Sequence, residues 1–271
     1  MTSEQPFIPA DPLSLPSLRL VQRVQGMEIG SATGFVVRRN SSLWLVTSRH
    51  VLSGRNTETD QVLSPTGAVP DTIRIVHHST FSIVGQGVWC MVDEPLQNDD
   101  GALLWREHPK FCIKDQERPD EPNIDLAVLR LSRLHDRVLI YPLDLDLAGV
   151  DVRVAPGLPV SIIGYPFGRT GTGWLPIWKT GHIASDADPY WSPRYFLIDA
   201  TTRAGMSGSP VVYRSFGLYE TGGGVTVPGN ATRLLGVYSG RIRDDAEIGR
   251  VWRPELIPQI IDGFERPLEK I

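Results

Sequence analysis

Three side chains in the sequence are of the types that acyl-transfer chemistry at neutral pH requires. They are His50 in the segment LVTSRHV, Asp125 in NIDLAVLRL and Ser207 in TTRAGMSGSPVV. A serine hydroxyl becomes nucleophilic when an adjacent base takes its proton, and imidazole suits this task because its pKa lies near neutral pH. A buried carboxylate fixes the imidazole tautomer and stabilises the imidazolium that forms. We therefore expect Ser207 to be a nucleophile, His50 its general base and Asp125 the group that orients the histidine.

The order of the three residues along the chain separates candidate folds. The α/β-hydrolase fold requires Gly-x-Ser-x-Gly around its nucleophile and the order serine, acid, histidine. Here the order is histidine, aspartate, serine, and Ser209 stands where the last glycine would be. The sequence also lacks a regular alternation of strands with long helices. Both observations argue against that fold.

Short apolar runs rich in β-branched residues alternate with turn signals from Met27 onward, which is typical of an all-β protein. Examples are TGFVV, LWLVT, TIRIV, LAVLRL, VSIIG, YFLID, PVVY and LLGVY. Hairpin turns are predicted at 39–42 and 97–101, because Asn, Asp and Gly tolerate the positive φ that such turns need. The glycines at 222–224 predict a further hairpin.

The chain divides into an arm, two halves and a terminal helix. The first 17 residues contain four prolines and little periodicity, which predicts an extended N-terminal arm over 1–17. A length of 271 residues suits a single two-barrel all-β unit, and a stretch at 147–159 rich in Gly, Pro and acid is expected to join its halves. A helix over about 256–266 is predicted by the helical spacing of Leu256, Ile260, Ile261 and Phe264.

Charge and hydropathy argue against several partners. The formal net charge is -4 and no basic stripe is present, so nucleic acid is not expected. No run approaches the ~20 apolar residues that span a bilayer, and the N-terminus has no signal peptide pattern. We therefore expect no membrane contact and a cytoplasmic location. Cys90 and Cys112 are the only cysteines and are expected to be reduced, although a disulfide between them stays open.

The segments that carry the three side chains resemble those of trypsin-like, chymotrypsin-fold serine peptidases, and more closely the HtrA/Deg-type bacterial proteases than the digestive enzymes. TSRHV is similar to the histidine motif of that family, IDLAVLRL to its aspartate strand and GMSGSPVV to its nucleophile loop. The stretches IIGYPFG, TGHIAS, YFLIDATTRAG and LLGVYSG follow in the family's order. The resemblance covers roughly residues 29–242.

This resemblance implies a fold of two six-stranded antiparallel β-barrels with a short C-terminal helix. The barrels are expected at about 18–145 and 155–250 within a peptidase domain of 18–271, with the cleft between them holding the site. HtrA/Deg enzymes usually carry a PDZ domain after the protease. This chain ends soon after the second barrel, so the resemblance is to the protease part without a PDZ domain.

The resemblance also implies roles for further residues. The backbone N–H groups of Gly205 and Ser207 would form an oxyanion hole. Two walls of a substrate pocket would be formed by Thr201, Thr202 and Arg203 and by Tyr238, Ser239, Gly240 and Arg241.

No carboxylate occupies the pocket-floor position at Thr201, which argues against a preference for Lys or Arg. Arg241 and Arg243 could favour an acidic side chain, but solvated arginines are the favoured interpretation. Digestive relatives have an acid just before the serine, and Met206 at that position argues against activation by N-terminal cutting.

The function implied is that of a serine endopeptidase that works through an acyl-enzyme and needs no metal or cofactor. Its partners would be a protein or peptide substrate, bound as a strand beside 239–241, and a regulatory protein. Two alternatives stay open: a catalytically silent peptide-binding or chaperone-like module on the same fold, and an esterase. His77 and His78 have no further ligands at metal-binding spacing and are interpreted as structural.

Overall fold

Two antiparallel sheets, packed against each other, form the body of the protein. The computed structural model describes residues 10–80, 89–108, 122–190, 192–243 and 245–263. Cys112 and Phe264 lie outside these ranges, so the predictions that concern them are not tested. Among the described residues, neither α-helix has the length or the apolar content that crossing a bilayer demands.

The first sheet is built from the N-terminal half of the chain. Its strands are β1 Ser17–Val24, β2 Met27–Arg39, β3 Ser42–Thr47, β4 Thr72–Ser79, β5 Trp89–Pro95, β6 Trp105–Glu107, β7 Ala127–Arg130 and β8 Val138–Leu139, and a one-turn helix α1, Arg49–Ser53, follows β3. The strand order is β5-β4-β1-β2-β3-β7-β6, with β8 beside β4. Asn40 and Ser41, at φ 49° and 59°, make the tight turn between β2 and β3, which confirms the hairpin predicted at 39–42.

The second sheet is a closed barrel of six strands. Its members, in the order of the ladder, are β10 Ile177–Ile183, β11 Tyr195–Asp199, β16 Ile248–Trp252, β15 Ala231–Arg241, β12 Pro210–Ser215 and β9 Pro159–Gly164. A separate hairpin of β13 Leu218–Glu220 and β14 Thr226–Pro228 turns through the predicted glycine segment 222–224. The helix α2, Leu256–Asp262, then packs its four buried apolar side chains on the body of the protein.

The predicted fold class is confirmed, with two differences in detail. The first sheet has eight strands rather than six, and its ladder is not closed within the described residues. The terminal helix ends at Asp262 rather than at 266, because Gly263 leaves the helical conformation with φ 77° and ψ 147°. The division of the two barrels at about 145 and 155 stays a prediction.

An apolar core between the two sheets fixes their relative position. Phe35 and Val128 of the first sheet are fully buried there against Ile163 and Trp252 of the second. Burial of apolar side chains in such a core is the main stabilising contribution to folding. Leu13, in the predicted N-terminal arm, also belongs to this core. The described end of the arm is therefore packed rather than free.

Candidate active site

Strand pairing in the first sheet brings His50 and Asp125 together. Thr47 at the end of β3 lies opposite Ala127 at the start of β7, and α1 with His50 follows directly after β3. His50 Nδ1 lies 2.6 Å from Asp125 Oδ2, and the backbone N–H of His50 donates to Asp125 Oδ1 at 2.9 Å. The imidazole is thus held through Nδ1, which leaves Nε2 as the proton acceptor of the neutral ring.

A third donor reaches the Asp125 carboxylate from the loop after α1. The hydroxyl of Thr57 donates to Asp125 Oδ1 at 2.9 Å, and Asn123 Nδ2 in turn donates to the carbonyl oxygen of Thr57 at 3.0 Å. Asp125 is only 7% exposed, so protein donors replace most of its solvation. No motif marked Thr57 in the sequence, because its contact with Asp125 spans 68 residues of chain.

The His50–Asp125 pair is electrostatically coupled. Burial disfavours the charged form of His50, but the charge and hydrogen bond of Asp125 outweigh it and raise the pKa of His50 above 6.5. Burial likewise acts to raise the pKa of Asp125, yet the charge and hydrogen bonds of His50, together with the Thr57 hydroxyl, hold that pKa below 3.8. Asp125 is therefore ionised at neutral pH and stabilises a proton on His50.

We predict that Thr57→Val lowers the free energy of unfolding by about 1–3 kcal/mol at pH 7, because a buried carboxylate oxygen loses one of its donors. Valine keeps the shape of the side chain, and the matched variant Thr57→Ser keeps the hydroxyl and should stay close to wild type. Urea unfolding of the three proteins measures the difference. Equal stability of Thr57→Val and wild type would show that the hydroxyl contributes nothing to the carboxylate.

A tight turn between β11 and β12 presents Ser207. Gly208 has φ 88°, and a Cβ there would lie 2.0 Å from the carbonyl oxygen of Thr33, so only glycine fits. Thr33 N–H donates to the carbonyl oxygen of Ser207 at 2.9 Å, and the Thr33 hydroxyl donates to that of Gly205 at 2.8 Å. A residue of β2 in the first sheet therefore positions the serine loop of the second.

The same turn contains two backbone N–H groups that no carbonyl or side chain of the described residues accepts from. The carbonyl oxygen of Ala204 accepts from Phe167 N–H at 2.6 Å. Since N–H and C=O of a trans peptide point in opposite directions, the N–H of Gly205 points away from Phe167. Among the described residues, neither the N–H of Gly205 nor that of Ser207 has a hydrogen-bond acceptor. Gly205 is at φ 93°, and a Cβ there would lie 2.4 Å from the carbonyl oxygen of Tyr165. These N–H groups match the two that the resemblance implies for an oxyanion hole.

One cleft of about 360 Å³ contains the three predicted catalytic side chains, His50, Asp125 and Ser207. A Cβ placed on Gly240 would lie 3.9 Å from Ser207 Oγ, so the serine side chain faces β15 across the cleft. In the described parts of the chain, Ser207 Oγ makes no hydrogen bond, to His50 or to another group. The structure thus brings the three side chains to one cleft. Of the three, only His50 and Asp125 are hydrogen-bonded to each other.

The predicted substrate residues fall into two groups. Ser239, Gly240 and Arg241 line the cleft. The ladder of β15 with β12 ends at Val237, and Tyr238 makes the last backbone hydrogen bonds on that side, to Ser209 and Gly208, while the pairing with β16 continues. The strand edge from Ser239 to Arg241 is therefore available to an added strand.

The other predicted wall residues do not line this cleft. Thr202 and Tyr238 are buried and hydrogen-bonded to each other through their hydroxyls, and burial raises the pKa of Tyr238 to about 12. Arg203 pairs with Glu247 at 3.2 Å, and Thr201 is exposed. A substrate contact by these four residues stays a prediction.

Several lining residues carried no sequence signal. Besides Thr57, they are Asn56, Glu58, Leu63, Ile242 and Arg250. They come from the loop after α1, from the residue that follows β15 and from β16, which approach the site only through long-range pairing. The register of β15 and β16, which sets Arg250 opposite Gly240, could not be read from the sequence.

No metal-binding arrangement accompanies the site in the part of the chain that the structure describes. There, no group of three or more His, Cys, Asp and Glu side chains is arranged to hold a metal ion. His77 is fully buried, and desolvation lowers its pKa to about 3. Its ring is therefore neutral at physiological pH, in line with a packing role.

The fold and the cleft define an all-β protein with a histidine–aspartate pair and a serine at the junction of two antiparallel sheets. The family of trypsin-like peptidase domains matches residues 32–217. The chain therefore belongs to the trypsin-like peptidase domain family, and the resemblance of its motifs to trypsin-like peptidases is confirmed. No curated protein matches the chain in sequence.

Solved structures of proteases align with most of the chain at low sequence identity. The inactive form of the Rv3671c protease is 16% identical over 94% of this chain and 91% of its own, with a TM-score of 0.46. The active form, from M. tuberculosis, is also 16% identical over 99% of this chain and 95% of its own, with a TM-score of 0.44. The serine endoprotease from Yersinia pestis is 12% identical over 94% of this chain and 66% of its own, with a TM-score of 0.46.

Proposed function

We propose that the protein is a serine endopeptidase that hydrolyses peptide bonds through an acyl-enzyme intermediate. The observation that carries this proposal is the doubly hydrogen-bonded His50–Asp125 pair in the same cleft as Ser207. Membership of the trypsin-like peptidase family supports the same chemistry. A protein or peptide is accordingly the proposed substrate.

In the proposed reaction, Ser207 Oγ attacks the carbonyl carbon of the scissile bond while His50 Nε2 takes the hydroxyl proton. The C–N bond breaks, and His50 returns the proton to the leaving amine, which leaves an ester on Ser207. Water then attacks the carbonyl carbon of the ester and gives a proton to His50. The ester bond to Ser207 Oγ breaks, His50 returns the proton to that oxygen, and the carboxylic acid product leaves the regenerated serine.

The proposed oxyanion hole consists of the N–H groups of Gly205 and Ser207. Each such donor is worth about 3–4 kcal/mol to a transition state. Two features support this role: neither N–H has an acceptor within the described residues, and the Ala204 carbonyl is bonded away to Phe167. The substrate would add as a strand along Ser239 to Arg241, whose edge is free in the cleft.

The raised pKa of His50 predicts the acid limb of the activity. His50 must be neutral to accept the proton from Ser207, and a raised pKa keeps the proton bound up to a higher pH. We therefore expect kcat/KM to fall on acidification, with its half-maximal value above pH 6.5. A pH profile of kcat/KM at constant ionic strength measures this. A midpoint of about 5, nearer to the ordinary pKa of a carboxyl group, would contradict the assignment of His50 as the base.

The alternative of a silent peptide-binding module is supported by one observation: in the described chain Ser207 Oγ is not hydrogen-bonded to His50. Such bonds are often long in free enzymes and tighten when substrate binds. An esterase would turn over esters and leave peptides intact. Both alternatives therefore predict that peptides survive incubation with the protein.

Incubation with a proteome-derived peptide library tests the proposal. We expect new termini at defined sites, formed equally with and without a chelator, as a metal-independent serine peptidase requires. A model ester is assayed in parallel. Ester turnover without peptide cleavage would overturn the proposal in favour of the esterase. Cleavage that the chelator abolishes would point to a metallopeptidase chemistry instead.

A further inference from the structure

Arg250 is held in the cleft by two aromatic rings. Its guanidinium carbon lies 5.3 Å from the ring centroid of Tyr195 and 5.6 Å from that of Trp252. The Trp252 ring is itself fixed, because its Nε1 donates to Ser239 Oγ at 2.9 Å. The side chain of Arg250 is 23% exposed. A cation stacked in this way is preorganised, so little conformational entropy remains to be lost when it binds an anion.

The hydrogen-bonding capacity of this guanidinium is unused. Within the described residues its Nε is buried without a partner, and no other hydrogen bond is formed by the side chain. Arg250 lies 3.6 Å from a carboxylate oxygen of Glu58, which is longer than a hydrogen bond. The other oxygen of Glu58 accepts from Asn123 N–H at 3.3 Å. Glu58 therefore partly neutralises the charge of Arg250 without accepting a hydrogen bond from it. The N–H groups of the Arg250 guanidinium keep their hydrogen-bonding capacity for a ligand.

A second arginine lines the same cleft. The side chain of Arg241 has no ion pair or hydrogen bond in the described chain, and it lies on β15 beside the edge proposed to take the substrate. Arg243, two residues further on, instead forms a bidentate salt bridge with Asp245, with hydrogen bonds of 2.9 and 3.0 Å, and both side chains are exposed. The second arginine that lines the cleft together with Arg241 is therefore Arg250 and not Arg243.

The two arginines lie close to the reacting groups. Arg250 is directly opposite Gly240 in the ladder, and a Cβ on Gly240 would be 3.9 Å from Ser207 Oγ. Neighbouring strands are about 4.8 Å apart. A side chain that reaches Arg250 thus belongs to a substrate residue within a few positions of the scissile bond.

We infer that Arg250, with Arg241, forms a subsite for an acidic side chain, Asp or Glu, within four residues of the cleaved bond. This inference rests on the proposed peptidase function. A carboxylate matches the fork of a guanidinium with two parallel hydrogen bonds. It would satisfy the open donors of Arg250 and displace the loose contact with Glu58. The cleft therefore selects for an acidic residue near the scissile bond.

Paired peptides test the subsite. Octapeptides built on a sequence that the protein cleaves carry Glu or Gln at each of the four positions on either side of the bond. At one position, wild type should cleave the Glu peptide with a kcat/KM at least about tenfold above that of the Gln peptide, as charged hydrogen bonds imply. Arg250→Gln should bring that ratio to within about twofold. The matched variant Arg243→Gln, outside the cleft, should keep it.

An array of peptides from the proteome-derived library, in pairs that differ only by Glu or Gln at one position, is probed with Ser207→Ala and gives a reading that needs no turnover. Binding should be stronger to the Glu member of some pairs, and Arg250→Gln in the Ser207→Ala background should remove the difference. Cleavage without a Glu preference at any position overturns the subsite and leaves the peptidase proposal standing. If no peptide is cleaved, the peptidase proposal fails. In that case the array decides the subsite: Glu-dependent binding supports it, and equal binding of Glu and Gln peptides overturns it.

Discussion

Replacing Ser207 by alanine is expected to lower kcat by about 10⁶-fold, because the proposed nucleophile is lost and only substrate binding and the proposed oxyanion hole remain. The fold should be unchanged. The contacts that hold this turn are made by the backbone, with Thr33 N–H on the carbonyl oxygen of Ser207 at 2.9 Å, and alanine preserves them. The measurement is the rate of hydrolysis of the best peptide from the library, together with urea unfolding of both proteins.

Ser209→Ala is the matched control for this experiment. Ser209 lies in the same turn, and its hydroxyl is buried without a hydrogen-bond partner among the described residues. Its loss should leave kcat within a few-fold of wild type. Undiminished hydrolysis by Ser207→Ala, or equal losses in the two variants, would show that Ser207 is not the nucleophile.

The second large effect is expected for Asp125→Asn, with a fall in kcat of about 10⁴-fold. The carboxylate accepts from His50 Nδ1 at 2.6 Å and from the backbone N–H of His50 at 2.9 Å. An amide of the same shape has only one acceptor atom. If its NH2 group faces Nδ1, the imidazole proton is forced to Nε2, where it blocks transfer from Ser207. The Asp125→Asn substitution also removes the negative charge that stabilises the imidazolium.

This prediction is checked by steady-state kinetics on the same peptide. KM should change little, because Asp125 is buried behind His50 and acts on the chemical step. Asp71→Asn is a suitable control, since the carboxylate of Asp71 accepts from Gln25 N–H in an exposed loop. A loss of activity no larger in Asp125→Asn than in Asp71→Asn would remove Asp125 from the mechanism.

The local pattern of the sequence predicted most of the strands. YFLID became β11, Tyr195–Asp199, without a change of boundary, because apolar β-branched and aromatic residues fill a half-buried pleated surface. The sequence pattern did not predict strand β16. Val251 packs in the barrel core, whereas Gly249 has no side chain and Arg250 lines the cleft, so the strand lacks an apolar run.

Other differences come from conformations that no periodicity reveals. WLPIW reads as a strand, but Trp174 adopts φ 63° in a 3₁₀ turn and β10 begins only at Ile177. The helix predicted over 256–266 begins at Leu256 in the structure, and Gly263 decides its end. These boundaries depend on single residues rather than on a repeating pattern.

Residue types and motif order were enough to select His50, Asp125 and Ser207, which the structure places in one cleft. They were not enough to find Thr57 or Arg250, since both reach the cleft through the register of distant segments. Arg241 was recognised as a cleft residue, but the sequence paired it with Arg243 instead of Arg250. The cytoplasmic location and the regulatory partner stay predictions.

The central claim is that Ser207 is an activated nucleophile beside a working oxyanion hole, and labelling with a fluorophosphonate tests it most directly. This reagent reacts quickly only with a serine that a base activates and that two N–H donors face. We predict rapid, stoichiometric labelling of the wild-type chain, with the adduct located on Ser207 by peptide mass spectrometry and absent from Ser207→Ala. An unlabelled wild-type chain, or an adduct on another serine, would contradict the account.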